Sequence, residues 1–224
     1  MTVLSVHSLK KSYQTGTETI RVLRDVNLSV DAGTTVVITG ESGCGKTSLL
    51  GLIGGLDSPT GGQIFIESRE ISALSEEELS EYRSRTIGFI FQFHFLLKDF
   101  TALENVMMPS FIIGENRGVA RHRAEELIES VGLAARAQHY PVELSGGERQ
   151  RIAVARALVN NPAIILADEP TGNLDEKNSR IVEDLLFELV HKYGKTLVVV
   201  THDRGLARVG DRHFELSHGV LAAQ

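Results

Sequence analysis

The chain has 224 residues, 42% of them hydrophobic, a formal net charge of −6 and one cysteine, Cys44. That length can bury a core as one large domain or as a core with a subdomain. The acidic balance gives no support to nucleic-acid binding, which normally shows a basic face, and a single cysteine excludes an internal disulfide and a cysteine-based metal cluster. The opening M-T-V-L-S-V-H-S-L-K-K lacks the basic-then-apolar order of a signal peptide, and no apolar run reaches about 18 residues. The expectation is a cytosolic chain that another polypeptide would have to hold at any membrane.

Taken in chain order, β-rich pieces come first, Val3 to Leu9 and Ile20 to Val30, with turn-like T-G-T-E at Thr15 to Glu18 between them. The apolar run Val36, Val37, Ile38 reads as a buried strand, and G-E-S-G-C-G-K-T follows it at Gly40, Glu41, Ser42, Gly43, Cys44, Gly45, Lys46 and Thr47. This is G-x-x-x-x-G-K-[ST] in its strand-to-helix setting. Its glycines let backbone N–H groups turn in around phosphate oxygens, and a helix over roughly 46–56 adds the positive end of its dipole. Lys46 is placed to reach the β- and γ-phosphates, and the Thr47 hydroxyl, beside Ser48, to ligate Mg²⁺.

S-P-T-G-G at Ser58 to Gly62 predicts a turn into a strand over Gln63 to Glu67, and a further strand, Gly88 to Phe91, ends at Gln92. From there to about residue 160 the periodicity is helical. Ala120, Ala124, Leu127, Ile128 and Val131 share one face, and Gly132 ends that helix. Ile164 to Ala167 is a continuous apolar run suited to a parallel strand covered on both faces. A helix burying Ile181, Val182, Leu185, Leu186, Leu189 and Val190 follows, then a strand over Thr196 to Val200. The middle therefore reads as a helical subdomain, 92–160, inserted into an α/β core formed by 1–91 and 161–224.

Strand tips carry the chemistry in open α/β sheets. Asp168 and Glu169 end the Ile164 to Ala167 strand, where Asp168 is expected to hold Mg²⁺ through water and Glu169 to polarise the water that attacks the γ-phosphate. His202 stands at the equivalent address after the next strand and is expected to contact the γ-phosphate. The remaining histidines read as structural. Gln92 closes another strand, and its amide can touch both Mg²⁺ and the water. In L-S-G-G-E-R-Q, Leu144 to Gln150, Ser145, Gly146 and Gly147 open a helix and offer a hydroxyl and backbone donors to anions, with Glu148 next in line.

These residues together resemble the ATP-binding subunits of ABC transporters, and the resemblance covers essentially the whole chain. It rests on Tyr13, the loop Gly40 to Thr47, Gln92, L-S-G-G-E-R-Q, I-I-L-A-D-E, N-L-D at Asn173 to Asp175, and His202, all in order. The resemblance implies a P-loop NTPase (RecA-like) α/β fold: a mixed, largely parallel sheet core, an N-terminal antiparallel β subdomain and an inserted helical subdomain, together one ABC ATPase domain over 1–224. It implies ATP and Mg²⁺ as ligands and Tyr13 as the adenine-stacking aromatic. The Ser145 to Glu148 cradle would read the γ-phosphate bound by a second copy, and Asp175 would couple the two sites across that interface. ATP binding would thus close a homodimer, the closure driving integral membrane permease subunits from the cytoplasmic face of the bacterial inner membrane, and hydrolysis would let the two copies part.

Gln92 to Pro109, Q-F-H-F-L-L-K-D-F-T-A-L-E-N-V-M-M-P, resembles the same region in ATPases of bacterial lipoprotein-releasing transporters; macrolide-type efflux and cell-division ATPases belong to the same broader group. L-A-D-E-P-T-G-N-L-D is shared across that group. Cys44 replaces the usual serine, Thr47-Ser48 reverses the usual order, and Phe95 and Lys98 stand where the lipoprotein-releasing group more often has histidine and proline. The rings of Phe91, Phe93, Phe95 and Phe100 form either a docking edge for the membrane subunit or part of a subdomain core. A small-molecule kinase has no need of L-S-G-G-E-R-Q, a GTPase would want N-K-x-D, and a non-transport ABC protein would need a coiled-coil insertion or a second ATPase domain.

Overall fold

In the computed structural model the described residues are 1–203 and 205–224. The elements begin with strands β1 (Thr2–Thr15), β2 (Glu18–Asp31) and β3 (Thr35–Thr39), helix α1 (Lys46–Ile53), strands β4 (Gly61–Ile66) and β5 (Arg69–Glu70), and helix α2 (Glu76–Thr86). Strand β6 (Ile87–Ile90), helices α3 (Ala102–Ile112), α4 (Arg117–Ser130) and α5 (Gly146–Leu158), strand β7 (Ile164–Asp168) and helix α6 (Glu176–Lys192) follow. The chain closes with β8 (Thr196–Thr201), β9 (Arg212–Ser217) and β10 (Val220–Ala223). Two compact units result, one from Met1–Tyr82 with Thr196–Gln224, the other Arg83–Lys195. The segment 92–160 lies wholly within the second unit, which also takes in β6, β7 and α6.

In the first unit the strands lie in the order β5-β4-β1-β2-β10-β9-β3-β8. β1 pairs antiparallel with β2 and β4, forming the antiparallel N-terminal part, whereas β3 is parallel to both β8 and β9. Val36, Val37 and Ile38 are fully buried, as are Leu197 to Val200, which is why both strands are apolar without alternation. Leu49, Leu50, Leu52 and Ile53 of α1 complete that core. The helix stops at Ile53 rather than Leu56 because Gly54 and Gly55 follow, and Gly55 takes φ +66°, where an added Cβ would lie 2.9 Å from Leu79 Cδ2.

Within the second unit, β6 and β7 run parallel in the register Ile87↔Ile164 to Ile90↔Ala167. Helix α5 packs on β6 at Gly88, where an added Cβ would collide with the Ala157 carbonyl oxygen. Buried Ala120, Ala124, Leu127 and Ile128 form the predicted face of α4, and Gly132 ends it at φ +70°. Asn105, fully buried in α3, closes the loop before it: its amide donates to the carbonyls of Leu97, Phe100 and Thr101 and accepts from Leu97 N at 2.7 Å.

Several local expectations differ from the structure. Gly61 and Gly62 are already strand residues, not turn, because β4 pairs with β1 from Lys10↔Gly61 onward. Glu67 lies past that strand with φ +48°. Ile181 is 43% exposed although it falls on the apolar stripe of α6, where Val182, Leu186, Leu189 and Val190 are buried. Helix α2 and the β9–β10 hairpin had no sequence signal strong enough to predict them.

Candidate nucleotide site

In the first unit the loop after β3 has the geometry its glycines permit. Gly43 and Gly45 take φ +79° and +108°, and Gly45 is the left-handed residue from which α1 starts. A Cβ on Gly45 would lie 2.8 Å from Val22 Cγ1, and one on Gly40 2.5 Å from the Leu216 carbonyl oxygen, so the loop is pressed against β2 and β9. Lys46 is 6% exposed, and its ammonium donates to the carbonyls of Gly40 at 2.8 Å and Glu41 at 3.1 Å, drawing the loop around it. Thr47 is exposed on the first turn of α1 and Ser48 half-buried. A cavity of about 400 Å³ borders the loop, lined by Glu41, Ser42, Gly43 and Cys44 on one side and Ile20 and Val22 of β2 on another.

The register connects two further residues to this loop. Tyr13 lies directly opposite Ile20, so both side chains stand on one face of the sheet, and Ile20 lines the cavity. Thr39, which leads into the loop, pairs with Thr201, which leads into His202, so the two strands release their following residues at one edge. His202 is exposed there. The Tyr13 hydroxyl donates to Asp57 Oδ2 at 2.9 Å, and Lys11 Nζ sits 4.7 Å from the ring centroid. Burial raises the Asp57 carboxyl, but hydrogen bonds from Lys11, Tyr13 and the Ser58 amide outweigh it and hold the group below its ordinary value.

The second unit gathers the other predicted residues. Asp168 ends β7, and Glu169 follows at φ +45°, a left-handed conformation uncommon for a side-chain-bearing residue and frequent where a side chain must be aimed. Gln92, two residues past β6, uses its amide on the Asn173 side chain at 3.3 Å, and Asn173 Nδ2 returns a bond to the Gln92 carbonyl at 3.1 Å. Asp175 caps α6 by accepting from Asn178 N at 3.0 Å. Gly147 sits so close to this cap that a Cβ would lie 2.7 Å from Asn178 Oδ1, which brings L-S-G-G-E against N-L-D.

Ser145 caps α5 in a capping box: Glu148 N donates to its hydroxyl at 3.3 Å, and Ser145 N donates to Glu148 Oε2 at 2.8 Å. Hydrogen bonds from the Ser145 amide and then the Ser145 side chain hold the Glu148 carboxyl below its ordinary range. The amides of Gly146 and Gly147, the first of the helix, have no intrahelical acceptor. Such a helix start can hold an anion. Gln150 and Arg156, on the same helix, donate to the Phe91 carbonyl at 3.0 Å and to the His94 and Phe95 carbonyls at 2.7 and 2.8 Å, fastening the segment around Gln92 to α5. Burial, with Arg149 and Arg156 nearby, holds the His94 imidazole below its ordinary value.

Sequence reasoning did not find Lys11, Asp57, Gln150, Arg156 or Asn178. Gln150 stood inside a recognised motif, but the partners of Lys11, Asp57, Gln150 and Arg156 lie far away in the chain, while Asn178 bonds to the helix cap Asp175 three residues before it.

A glycine-wrapped lysine after a buried strand, with an acidic pair ending another, defines a P-loop ATPase. The sequence profile of the ABC transporter family matches residues 23–172, a span that includes the phosphate loop, Gln92, L-S-G-G-E-R-Q and the Asp168–Glu169 pair. The chain belongs to the ABC transporter family and is an ATPase of it, binding ATP and hydrolysing it in a reaction coupled to transport. It is 52% identical over 219 residues to the lipoprotein-releasing system ATP-binding protein LolD of Treponema pallidum, covering 98% of this chain and 97% of that one. The LolD protein of Xanthomonas campestris pv. campestris is also 52% identical, with 98% and 92% covered. Among solved structures, a dimeric ATP-binding cassette in a post-hydrolysis state, bound to ADP and Pi, superposes with a TM-score of 0.89 at 42% identity, covering 99% of this chain and 97% of that one. The fold is the α/β, P-loop NTPase type.

Proposed function

We propose that this chain is the ATP-hydrolysing subunit of a lipoprotein-releasing transporter, working as a homodimer bound to integral membrane permease subunits. The observation that carries the reading is the identity of about one residue in two to LolD proteins over 98% of the chain. No helix among the described residues is long and apolar enough to cross a membrane, which fits a peripheral subunit on the cytoplasmic face of the inner membrane, held there by its partners.

In this reading Tyr13 stacks the adenine, Gly40 to Gly45 wrap the phosphates with their amides, and Lys46 leaves the Gly40 and Glu41 carbonyls for the β- and γ-phosphates. Thr47, Gln92 and Asp168 supply a hydroxyl, an amide oxygen and a carboxylate, the hard oxygen donors that Mg²⁺ requires, and would hold it. The ion would neutralise developing charge on the phosphates. Glu169 accepts the proton of the attacking water, and His202 contacts the γ-phosphate. Ser145, Gly146, Gly147 and Glu148 read the γ-phosphate bound by the second copy, and Asp175 stands at the same interface. A ligand shifts an equilibrium only through unequal affinity for the two states, and the γ-phosphate contact across the dimer supplies that inequality.

Residues 92–160 act as the helical signature subdomain that carries motion outward. Phe93 and Phe95 are 59% and 62% exposed, and Phe100 borders a groove of about 350 Å³ with Leu103, Met107, Met108 and Phe111. Exposure favours the docking edge over core packing for these rings, while Phe91 packs on Phe89 at 5.2 Å between centroids. The bonds from Gln150 and Arg156 make the docking segment and the signature helix move together. The test is to purify the chain with its membrane subunits, reconstitute them in vesicles loaded with a lipoprotein, and measure ATP-dependent release. Release that requires hydrolysis supports the reading; recovery of nucleic acid or ribosomes in place of integral subunits, or ATP-independent release, overturns it.

A further inference from the structure

Lys11 is a buried charge, 7% exposed, in the strand that carries Tyr13. Its ammonium donates to Asp57 Oδ1 at 2.6 Å and to the Ser58 carbonyl at 2.7 Å, and lies 4.7 Å from the centre of the Tyr13 ring. The second oxygen of the same carboxylate accepts the Tyr13 hydroxyl at 2.9 Å. A cation thus covers one face of the ring and a carboxylate holds its tip, with each anchored by the other. A buried ammonium is costly without such a partner, so Lys11 needs the Asp57 carboxylate. Tyr13 is 40% exposed, so the ring keeps surface open to solvent. Asp57 belongs to the short connection after α1, the helix that the phosphate loop opens. The ring is therefore tied to the same piece of backbone that holds the phosphates.

We propose that Lys11 and Asp57 are positioning residues for nucleotide recognition: they fix the Tyr13 ring at a set distance from the phosphate loop and direct the base to the ring face that Lys11 leaves open. This rests on the reading of Tyr13 as the base-stacking aromatic. A ring held in advance loses less freedom when the base arrives, so the clamp contributes to affinity for the base and not for the phosphates. A merely structural ion pair would act on both.

Calorimetric titration of the full-length chain with ATP, and in parallel with inorganic tripolyphosphate, separates these roles. Asp57→Asn and Lys11→Met should each weaken ATP binding about five-fold while leaving tripolyphosphate binding unchanged, as expected for loss of a hydrogen bond or a cation–π contact behind the ring. Equal weakening for both ligands, or no weakening for either, overturns the proposal. Tyr13→Phe keeps the Lys11–Asp57 pair and removes only the hydroxyl tie, so it tests the clamp even if Lys11→Met fails to fold; about a three-fold loss confined to ATP is expected, and an unchanged ATP affinity overturns the role of the tie. Tyr13→Ala distinguishes the two levels. Full ATP affinity in that variant removes the stacking role of Tyr13 itself, whereas a loss there with none in Asp57→Asn removes only the clamp.

Discussion

The phosphate-loop half and the signature half of this molecule solve positioning in different ways. Around Lys46 the geometry is backbone geometry: left-handed glycines, a helix start, and carbonyls of residues five and six positions away. Around Gln92 it is held by side chains bonding to distant backbone, with Gln150 reaching Phe91, Arg156 reaching His94 and Asn173 reaching Gln92. A local device suits a site that must bind the same anion in every state. A network of long-range bonds suits a part that must transmit displacement, because its contacts can be remade as a set.

The largest test of that contrast is Glu169→Gln, which removes the proposed base at the strained tip of β7 while keeping its shape. Turnover should fall by about a thousand-fold with ATP still bound, and gel filtration with ATP should show dimer accumulating. An unchanged hydrolysis rate would remove Glu169 from the chemistry. Next, Lys46→Ala should weaken ATP binding by about a hundred-fold, since it deletes the charge at the centre of the local half. If the two halves differ as described, Arg156→Met should instead leave ATP affinity of the isolated chain near its original value and lower the stimulation of hydrolysis by the permease subunits, measured in the reconstituted complex. Asn105→Ala leaves the polar groups of a buried loop without partners and should cost about 2–3 kcal/mol in urea unfolding with little effect on ATP affinity.

The smallest effect is a pH dependence. The folded Asp57 carboxyl lies below its ordinary value of 3.8. A depressed carboxyl contributes stability above its unfolded value, and that contribution is lost as pH falls through the lowered folded value. The stability difference between the wild-type chain and Asp57→Asn should therefore be constant near neutrality and close as pH drops past 3.8 and below, as followed by circular dichroism during acid titration.

Much of the fold was legible because its strongest elements are periodic or punctuated. Val36 to Ile38, Ile164 to Ala167 and Thr196 to Val200 read as covered strands, and α4 showed its face plainly. Helix α2 was not legible: E-E-E-L-S-E-Y-R-S-R-T buries only Leu79 and Tyr82, too few apolar residues to mark a period. The β9–β10 hairpin is short and contains no long apolar run, and its place beside β3 and β2 comes from pairing, which no local pattern encodes. Ile181 sat on the right stripe of α6 yet remains exposed, since periodicity gives a face but not how far a neighbour covers it.

The residues of the site divide in the same way. By itself the sequence determined the phosphate loop, the acidic pair and the helix start at Ser145, because each is written in consecutive residues whose chemistry and backbone freedom act over a few ångströms. Only the tertiary structure decided that Tyr13 is clamped by Lys11 and Asp57, 44 residues from the ring, and that Gln92 is bonded to Asn173, 81 residues on. Such partners meet through strand register and loop closure, and these depend on the packing of the entire unit.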